Sequence, residues 1–457
     1  MRYSVLILCC SLLGVTSLNG QTVSDKYRKN WSDPEIQERI EKGIERNRKD
    51  WAELQFFNEE GEAVEWSGDV QIRQTTHDFL FGANIFMLNG YDEEWENEKY
   101  ESIFQDLLNF ATVPFYWKTL EPERGNVRFS AESEHIYRRP APDIIVDFCN
   151  KHNITMKGHP LFWDIPTWAI PTWWPSEEDS MRYLIRRHVQ EIAERYRNDI
   201  LHWDVVNEAN SRNMEVPAPH DYPTLVFKIA ERHFGLDNWF HYNFTTAIWK
   251  IWDKYKAEYG LEYVLTENLM LKGCKVDAIG LQCHLWGYEQ WDKVLNGEAM
   301  APEHVLKILD LFGQFDLPLF ITEITFPTLP EGEDGEKNQA IVTRNFYRLW
   351  FSHPNFAGIT WWNVSDGTAA GGEDRWKGGF LRKDMSPKPS YEVLDELINH
   401  EWKTQISDQV DNHSSYQFKG FHGEYEIVLS KNGNEVLTKT VHLQDGRDNE
   451  FDMIISH

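Results

Sequence analysis

The chain has 457 residues, a formal charge of −27 at pH 7, 41% hydrophobic residues and an aromatic content of 14%. The length suits one large α/β barrel with a small accessory unit. The charge argues against nucleic acid or an anionic membrane as partner and is compatible with a neutral polysaccharide, whereas a polyanionic pectin would be repelled overall.

In chain order, the first element is a secretory leader over residues 1–20. Arg2 supplies the positive region, Val5 to Leu13 the apolar core, and Thr16 to Gly20 the polar stretch before a cleavage near Gln21. The expectation is a secreted protein, periplasmic, cell-surface or extracellular. No other segment approaches 18 uninterrupted apolar residues, so no membrane insertion is expected. Cys9 and Cys10 fall inside the leader, which leaves Cys149, Cys274 and Cys283. An odd number at no metal spacing speaks against a disulfide framework or a zinc site. No metal, no cofactor and a monomer are expected.

Residues 31–76 read as a helix followed by two strands. Ser32 is placed as the helix cap with Glu35 three residues on, and the helix should run to about Asp50. Strand-like runs follow near Glu53–Asn58 and Asp69–Thr75. Residues 77–402 then alternate short apolar runs with helical patterns. The runs are Phe79–Phe86, Phe110–Tyr116, Ile154–Trp163, Ile200–Glu208, Trp239–Phe244, Val276–Leu285, Pro318–Thr325 and Gly358–Val364. Among the helices, Met181–Arg197 carries Leu184, Ile185, His188, Ile192 and Tyr196 on one stripe, and Thr245–Leu271 and Pro302–Phe312 are others. Eight strands alternating with helices predict a (β/α)8 barrel. Strand patterns return over residues 416–457, at Glu424–Leu429, Glu435–Leu443 and Glu450–Ile455. Forty residues bury little core alone, so this tail is expected to pack with the strands of residues 52–76 as one small β-module.

Two glutamates close barrel strands: Glu208 ends Leu201-His-Trp-Asp-Val-Val-Asn-Glu208 and Glu323 ends Pro318-Leu-Phe-Ile-Thr-Glu323. Strand ends of a parallel barrel converge on one mouth, and two convergent carboxyls suit glycosidic cleavage. One protonates the leaving oxygen; the other attacks or activates water. Glu208 is placed as the acid, with Trp203 lending apolar surroundings and Glu323 a nearby charge that raises its pKa. Asn207 is positioned to bond a sugar 2-hydroxyl. Gln282 and His284 share one face of their strand, and His284 is placed to keep the other carboxylate ionised. His159 is placed for sugar hydroxyls and Trp163 as a floor for the ring. Of Trp361 and Trp362, alternation puts one inward and one outward. The 20 Trp, 18 Tyr and 26 Phe, many of the Trp in loops, add platforms for sugar faces beside bulky barrel packing.

These residues together resemble family 10 glycoside hydrolases, the barrel-type endo-β-1,4-xylanases. Trp203 to Glu208 is similar to their acid/base motif and Ile321-Thr-Glu323 to their nucleophile motif. Gly158 to Trp163, Gly280 to Leu285, Trp362 to Asp366 and Pro387 to Tyr391 also fit, over roughly residues 77–400. The resemblance implies Glu208 as acid/base, Glu323 as nucleophile and retention of configuration. His159, Asn207, Gln282 and His284 would bind around the cleaved bond, and Trp362 and Trp376 would cage the nearest glycone sugar. It implies xylan as the polysaccharide substrate. The chain departs from the family after the second strand, where Ala111 to Pro122 lacks the usual Glu-Asn pair and Tyr116 stands in place of a Lys, with Lys118 two positions off. The glycone subsites are thus rebuilt with aromatics, which points to a decorated xylan, or to another β-glycan on the same barrel.

Overall fold

The computed structural model describes residues 23–211, 216–251 and 257–455; the expected leader lies outside them. Helices Asp25–Trp31 and Pro34–Asn47 lead into strands β1 (Lys49–Phe57) and β2 (Trp66–Gln74). The next eight strands are β3 (Leu80–Asn84), β4 (Phe110–Pro114), β5 (Thr155–His159), β6 (His202–Asn207), β7 (Trp239–Phe244), β8 (Ala278–His284), β9 (Leu319–Thr325) and β10 (Phe356–Trp361). Each pairs in parallel with its neighbour, and β10 closes onto β3. This is the expected (β/α)8 barrel, with helices on the outside of the ring. Its strands are buried on both faces: β6, β8 and β9 have no exposed residue, and the polar side chains they carry are buried with them. Close strand packing sets some residues outright. A Cβ on Gly158 would run into the ring of Trp203, which is fully buried against it.

Two helical expectations are corrected. Ser32 closes the first helix, and Asp33 caps the second by accepting from the N–H groups of Glu35 and Ile36. Pro34 takes the first helical position, so its predecessor becomes the cap, and the helix stops at Asn47. Thr245–Leu271 is not one helix either. Among the described residues it holds the helix Leu261–Leu271, with short 3₁₀ turns at Thr246–Lys250 and Ala257–Tyr259 before it. Ala257 has φ +64°, which a right-handed helix does not accommodate.

Five strands follow the barrel: β11 (Gln405–His413), β12 (Ser415–Phe421), β13 (Gly423–Lys431), β14 (Asn434–Leu443) and β15 (Glu450–Ile454). The first two escape sequence reading; β11 buries only Val410, so its alternation is faint. β1 lies between β12 and β15, and β2 lies between β11 and β13, with β14 outermost. Leu54 and Phe56 of one sheet and Val70, Ile72, Ile427 and Leu429 of the other share one buried cluster. The module is therefore built from both flanks of the barrel.

It docks beneath the barrel, at the end where the strands begin. Asp78 N–H, two residues before β3, donates to His422 O at 3.2 Å. Trp402 stacks on Phe351 with ring centroids 4.0 Å apart. Arg48 is buried, and its Nε and Nη2 donate to Phe351 O and His353 O at 2.5 and 2.6 Å. Among the described residues, none of the module lines the cleft at the opposite mouth, at the carboxyl ends of the strands. Arg48→Ala leaves Phe351 O at the junction without its donor while His353 O keeps the Phe356 N–H, so unfolding free energy should fall by about 1–3 kcal/mol. Urea titration measures this; a loss below about 0.5 kcal/mol would place the docking energy elsewhere.

Candidate active site

A β-bulge precedes each of the two strand-end glutamates. Between β6 and β7 the register shifts at Val205, between the pairs Asp204–His241 and Val206–Tyr242. Between β8 and β9 it shifts at Thr322, so that Gln282 faces Glu323. A bulge re-aims the residues after it. At β9 it lets consecutive residues serve the same site: Thr322 Oγ1 donates to Asn243 Oδ1 at 2.6 Å, and Glu323 bonds Asn243, Gln282 and His284. At β6 the turn is completed by Glu208 itself, whose φ of +55° is rare for a side chain with a Cβ. Its N–H donates to Asn243 O at 2.8 Å, which holds that backbone in place.

One amide connects the two carboxyls. Gln282 Nε2 donates to Glu208 Oε1 at 2.8 Å and to Glu323 Oε1 at 3.1 Å. Two bonds from one nitrogen keep those oxygens no more than about 6 Å apart. Glu323 also accepts from Asn243 Nδ2 on Oε1 and from His284 Nε2 on Oε2, both at 3.1 Å. This set of donors complements a negative charge. Thr325 Oγ1 lies 2.8 Å from His284 Nδ1; by donating there it leaves Nε2–H to point at the carboxylate. Asn243 Nδ2 meets Asn207 Oδ1 at 2.7 Å, so the Asn207 amide NH₂ is free to serve the cleft. Gly280 makes room for this network, since a Cβ there would lie 2.5 Å from Asn243 Oδ1.

Glu208 sits in a different environment. Burial, and then the charge of Glu323, push its carboxyl up to about 7, with the Gln282 amide opposing and Asp164 adding to the rise. One carboxyl is thus set to hold a proton near neutrality beside another that is held as an acceptor.

A second charged layer lies one step deeper in the barrel. Lys157 Nζ and His159 Nδ1 both contact Asp204 Oδ2 at 2.8 Å, with all three side chains buried. Burial raises the Asp204 carboxyl, but Lys157 and His159 outweigh it and hold it well below the usual range. The carboxylate accepts the Nδ1–H of His159 and so orients that ring, which lines the cleft.

The cleft brings together His159, Trp163, Asn207, Glu208, His284, Glu323 and Trp362. Of the tryptophan pair, Trp361 is core and Trp362 faces the cleft. Trp376 is elsewhere. It packs into the main core against Tyr288, ring centroids 5.4 Å apart, and Glu373, three residues earlier, lines the cleft instead. Tyr116 stands in the cleft, edge-on to His159 at 5.3 Å. Lys118 points away and ties down the carbonyls of Pro166 and Thr167. Sequence reading missed Asn243, Phe86, Trp286, Glu373 and the pair Arg138–Arg139. Asn243 had a legible signal, a polar residue on an inward-facing position of a barrel strand. Trp286, stacked on His284 at 4.1 Å and 38% exposed, is a further ring platform. Among the described residues, one grouping of metal-ligand type occurs, Asp50, His422 and Asp445. It lies at the module junction and not in the cleft.

A carboxyl raised in the fold above its unfolded value of 4.5 costs stability once it must ionise, so the cost is absent well below pH 4.5 and fully present above about 7. Glu208→Gln should therefore stabilise the fold at pH 8 by on the order of 1–3 kcal/mol and leave it unchanged near pH 4. In Glu323→Gln the Glu208 carboxyl should titrate closer to its ordinary range, read by isotope-edited infrared titration. A Glu208 titration unmoved by that change would show that the two carboxyls do not sense each other.

Residues 76–396 match the sequence model of Glycosyl hydrolase family 10. The endo-1,4-beta-xylanase B of Thermotoga neapolitana is 26% identical over 357 residues, covering 74% of this chain and 94% of that protein. The anti-sigma-I factor RsgI6 of Acetivibrio thermocellus is 25% identical over 382 residues, covering 82% of this chain but only 44% of that longer protein. In fold, the chain is similar to native xylanase 10B of Thermotoga maritima, with a TM-score of 0.57 at 21% identity over 71% of this chain and 96% of that one.

Proposed function

Because the chain belongs to glycosyl hydrolase family 10, we propose that it is a secreted retaining endo-β-1,4-xylanase that cleaves internal linkages of a decorated xylan. The observation that carries the mechanism is the single Gln282 nitrogen bonded to both carboxyls. It holds their nearest oxygens within about 6 Å of each other. Retaining glycosidases place their carboxyls ~5–5.5 Å apart, whereas inverting ones need ~6.5–9.5 Å to admit water.

Glu323 attacks the anomeric carbon while Glu208, protonated near neutrality, gives its proton to the leaving oxygen. Glu208, now a carboxylate, then takes a proton from water, and that water displaces Glu323 from the sugar. Asn207 offers its amide to the 2-hydroxyl, His159 bonds the attacked sugar, and Trp163 and Trp362 flank its ring. The xylanase names of the relatives support the substrate class, and the apolar Val5–Leu13 run supports export.

A second reading, a retaining glycosidase acting on another β-glycan or a β-glycoside, is favoured by one observation. Tyr116 occupies the wall after β4 against His159, and Lys118 is turned away onto the carbonyls of Pro166 and Thr167, so the wall that would hold the glycone sugar is aromatic where the family carries a lysine. Product analysis on plain xylan, arabinoxylan, glucuronoxylan and mixed-linkage β-glucan separates the two.

Glu323→Ala should lower turnover at least about 10³-fold. Glu208→Ala should do the same on xylan but spare the first step on activated aryl xylosides, whose leaving group needs no proton. Equal loss of the first step on aryl xylosides and xylan would remove Glu208 from the acid role, and turnover of a glucan with silence on every xylan would sink the xylanase assignment.

A further inference from the structure

Two guanidinium groups in the cleft wall have no part in the chemistry above. Arg138 and Arg139 lie in the loop between β4 and β5, and both line the cleft that holds Glu208 and Glu323. Arg138 is 4% exposed and adopts φ +60°. Its Nη1 is spent on Thr368 O, while its Nε is buried without a partner among the described residues. Arg139 donates to Arg138 O at 2.8 Å and lies with its Cζ 3.9 Å above the Tyr116 ring and 5.1 Å from that of Phe86. Among the described residues, no carboxylate stands within the 4.0 Å ion-pair range of either arginine. Burying a cation without a counter-charge is costly. The acidic group of this wall, Glu373, shares the cleft without contacting either arginine; burial raises its carboxyl and the charges of His284 and Arg138 draw it back, so it offsets the two cations in part and from a distance. Burial lowers the Arg139 guanidinium only to about 10, so it remains cationic at neutral pH.

The wall reaches both carboxyls, Glu208 through Tyr116 and Trp163 and Glu323 through Phe86 and Trp362, and Tyr116 occupies the position after the second strand where the family binds glycone sugars. Tyr116 meets His159 edge-on at 5.3 Å, Phe86 meets Trp362 at 5.4 Å, and Trp362 meets His284, the partner of Glu323, at 6.0 Å. From Arg139 the contacts run through Phe86, Trp362 and His284 to Glu323.

We infer that Arg138 and Arg139 receive a carboxylate carried by the substrate, a uronic acid borne on the sugar under attack or on its glycone neighbour. A guanidinium fork matches a carboxylate with paired hydrogen bonds, and the Tyr116 and Phe86 rings give that sugar an apolar face to lie on. The overall charge of −27 does not oppose this. Charges beyond about 8 Å are largely screened at physiological salt, and a sparsely acidic glycan brings one charge to the site at a time. The inference rests on the glycosidase reading and names the decoration that reading leaves open.

The test uses glucuronoxylan and the same polymer with its uronic carboxyls reduced to alcohols, which keeps the side group and removes the charge. kcat/KM of the purified full chain should fall about tenfold or more on reduction, and the acidic sugar should appear at or next to the new reducing end of the products. In Arg139→Gln and Arg138→Gln the ratio between the two polymers should collapse toward one, with Arg139→Lys restoring part of it; a ratio is insensitive to partial loss of folded protein. Equal turnover of the two polymers, a ratio that survives both substitutions, or acid found only at the non-reducing end of products overturns the inference alone. A protein inert on both polymers and on aryl xylosides overturns the glycosidase reading as well.

Discussion

Two carboxyl groups share one amide at the mouth of the barrel, and burial together with its neighbour's charge makes one of them, Glu208, costly to ionise. This constraint organises what surrounds it. Glu323 accepts from Asn243, Gln282 and His284, while Glu208 is met by Gln282 and more weakly by Trp163 and lies deep enough to keep its proton near neutral pH. The asymmetry of donors, more than any difference between the two residues, assigns the roles of acid and nucleophile. Gln282 gives a hydrogen to each carboxyl and so is the hinge of the arrangement.

The barrel supplies this mouth through departures from regular strand geometry. A perfect strand sends alternate residues to opposite sides, which would allow Thr322 or Glu323 into the site but not both, and likewise Asn207 or Glu208. A bulge at Val205 ahead of one pair, a bulge at Thr322 within the other, and the left-handed backbone of Glu208 bring all four together. Below them, Asp204 takes Lys157 and His159 as partners, so that the ring above is oriented by a carboxylate that never reaches substrate. The layer beneath is rigid where the layer above must be accurate.

What could be read from the sequence follows the same division. The eight strands were legible because doubly buried strands are apolar runs between helical patterns; even β7, whose run contains His241 and Asn243, has the expected limits Trp239 to Phe244. Residues at strand ends were legible as a convergent set, since barrel geometry alone carries them to one mouth. Side chains from long loops were not. Arg138, Arg139 and Glu373 reach the cleft through turns that have no periodicity, and nothing in a linear pattern says that Thr368 anchors a loop some two hundred residues earlier. Trp376 shows the converse, an aromatic in a Gly-rich loop that packs inward. The caps and turns at Asp33 and Ala257 were missed for a local reason, a proline or a positive φ that displaces a boundary by one residue or divides a helix.

The joining of the two chain flanks in one module bears on the order in which the protein is made. β1 lies between β12 and β15, and Gln55 bonds Glu450 across 395 residues. At ~5–20 residues per second of synthesis, β1 waits on the order of 20–80 s for its last neighbour, which emerges after every barrel strand. During that interval it is an open strand edge, and edges of this kind recruit other chains unless charge discourages them. Lys49, Asp50 and Glu53 lie on this strand, and the neighbouring helix Pro34–Asn47 carries charge along most of its length. The first strand is thus dressed to remain solitary on the ribosome until the last one arrives.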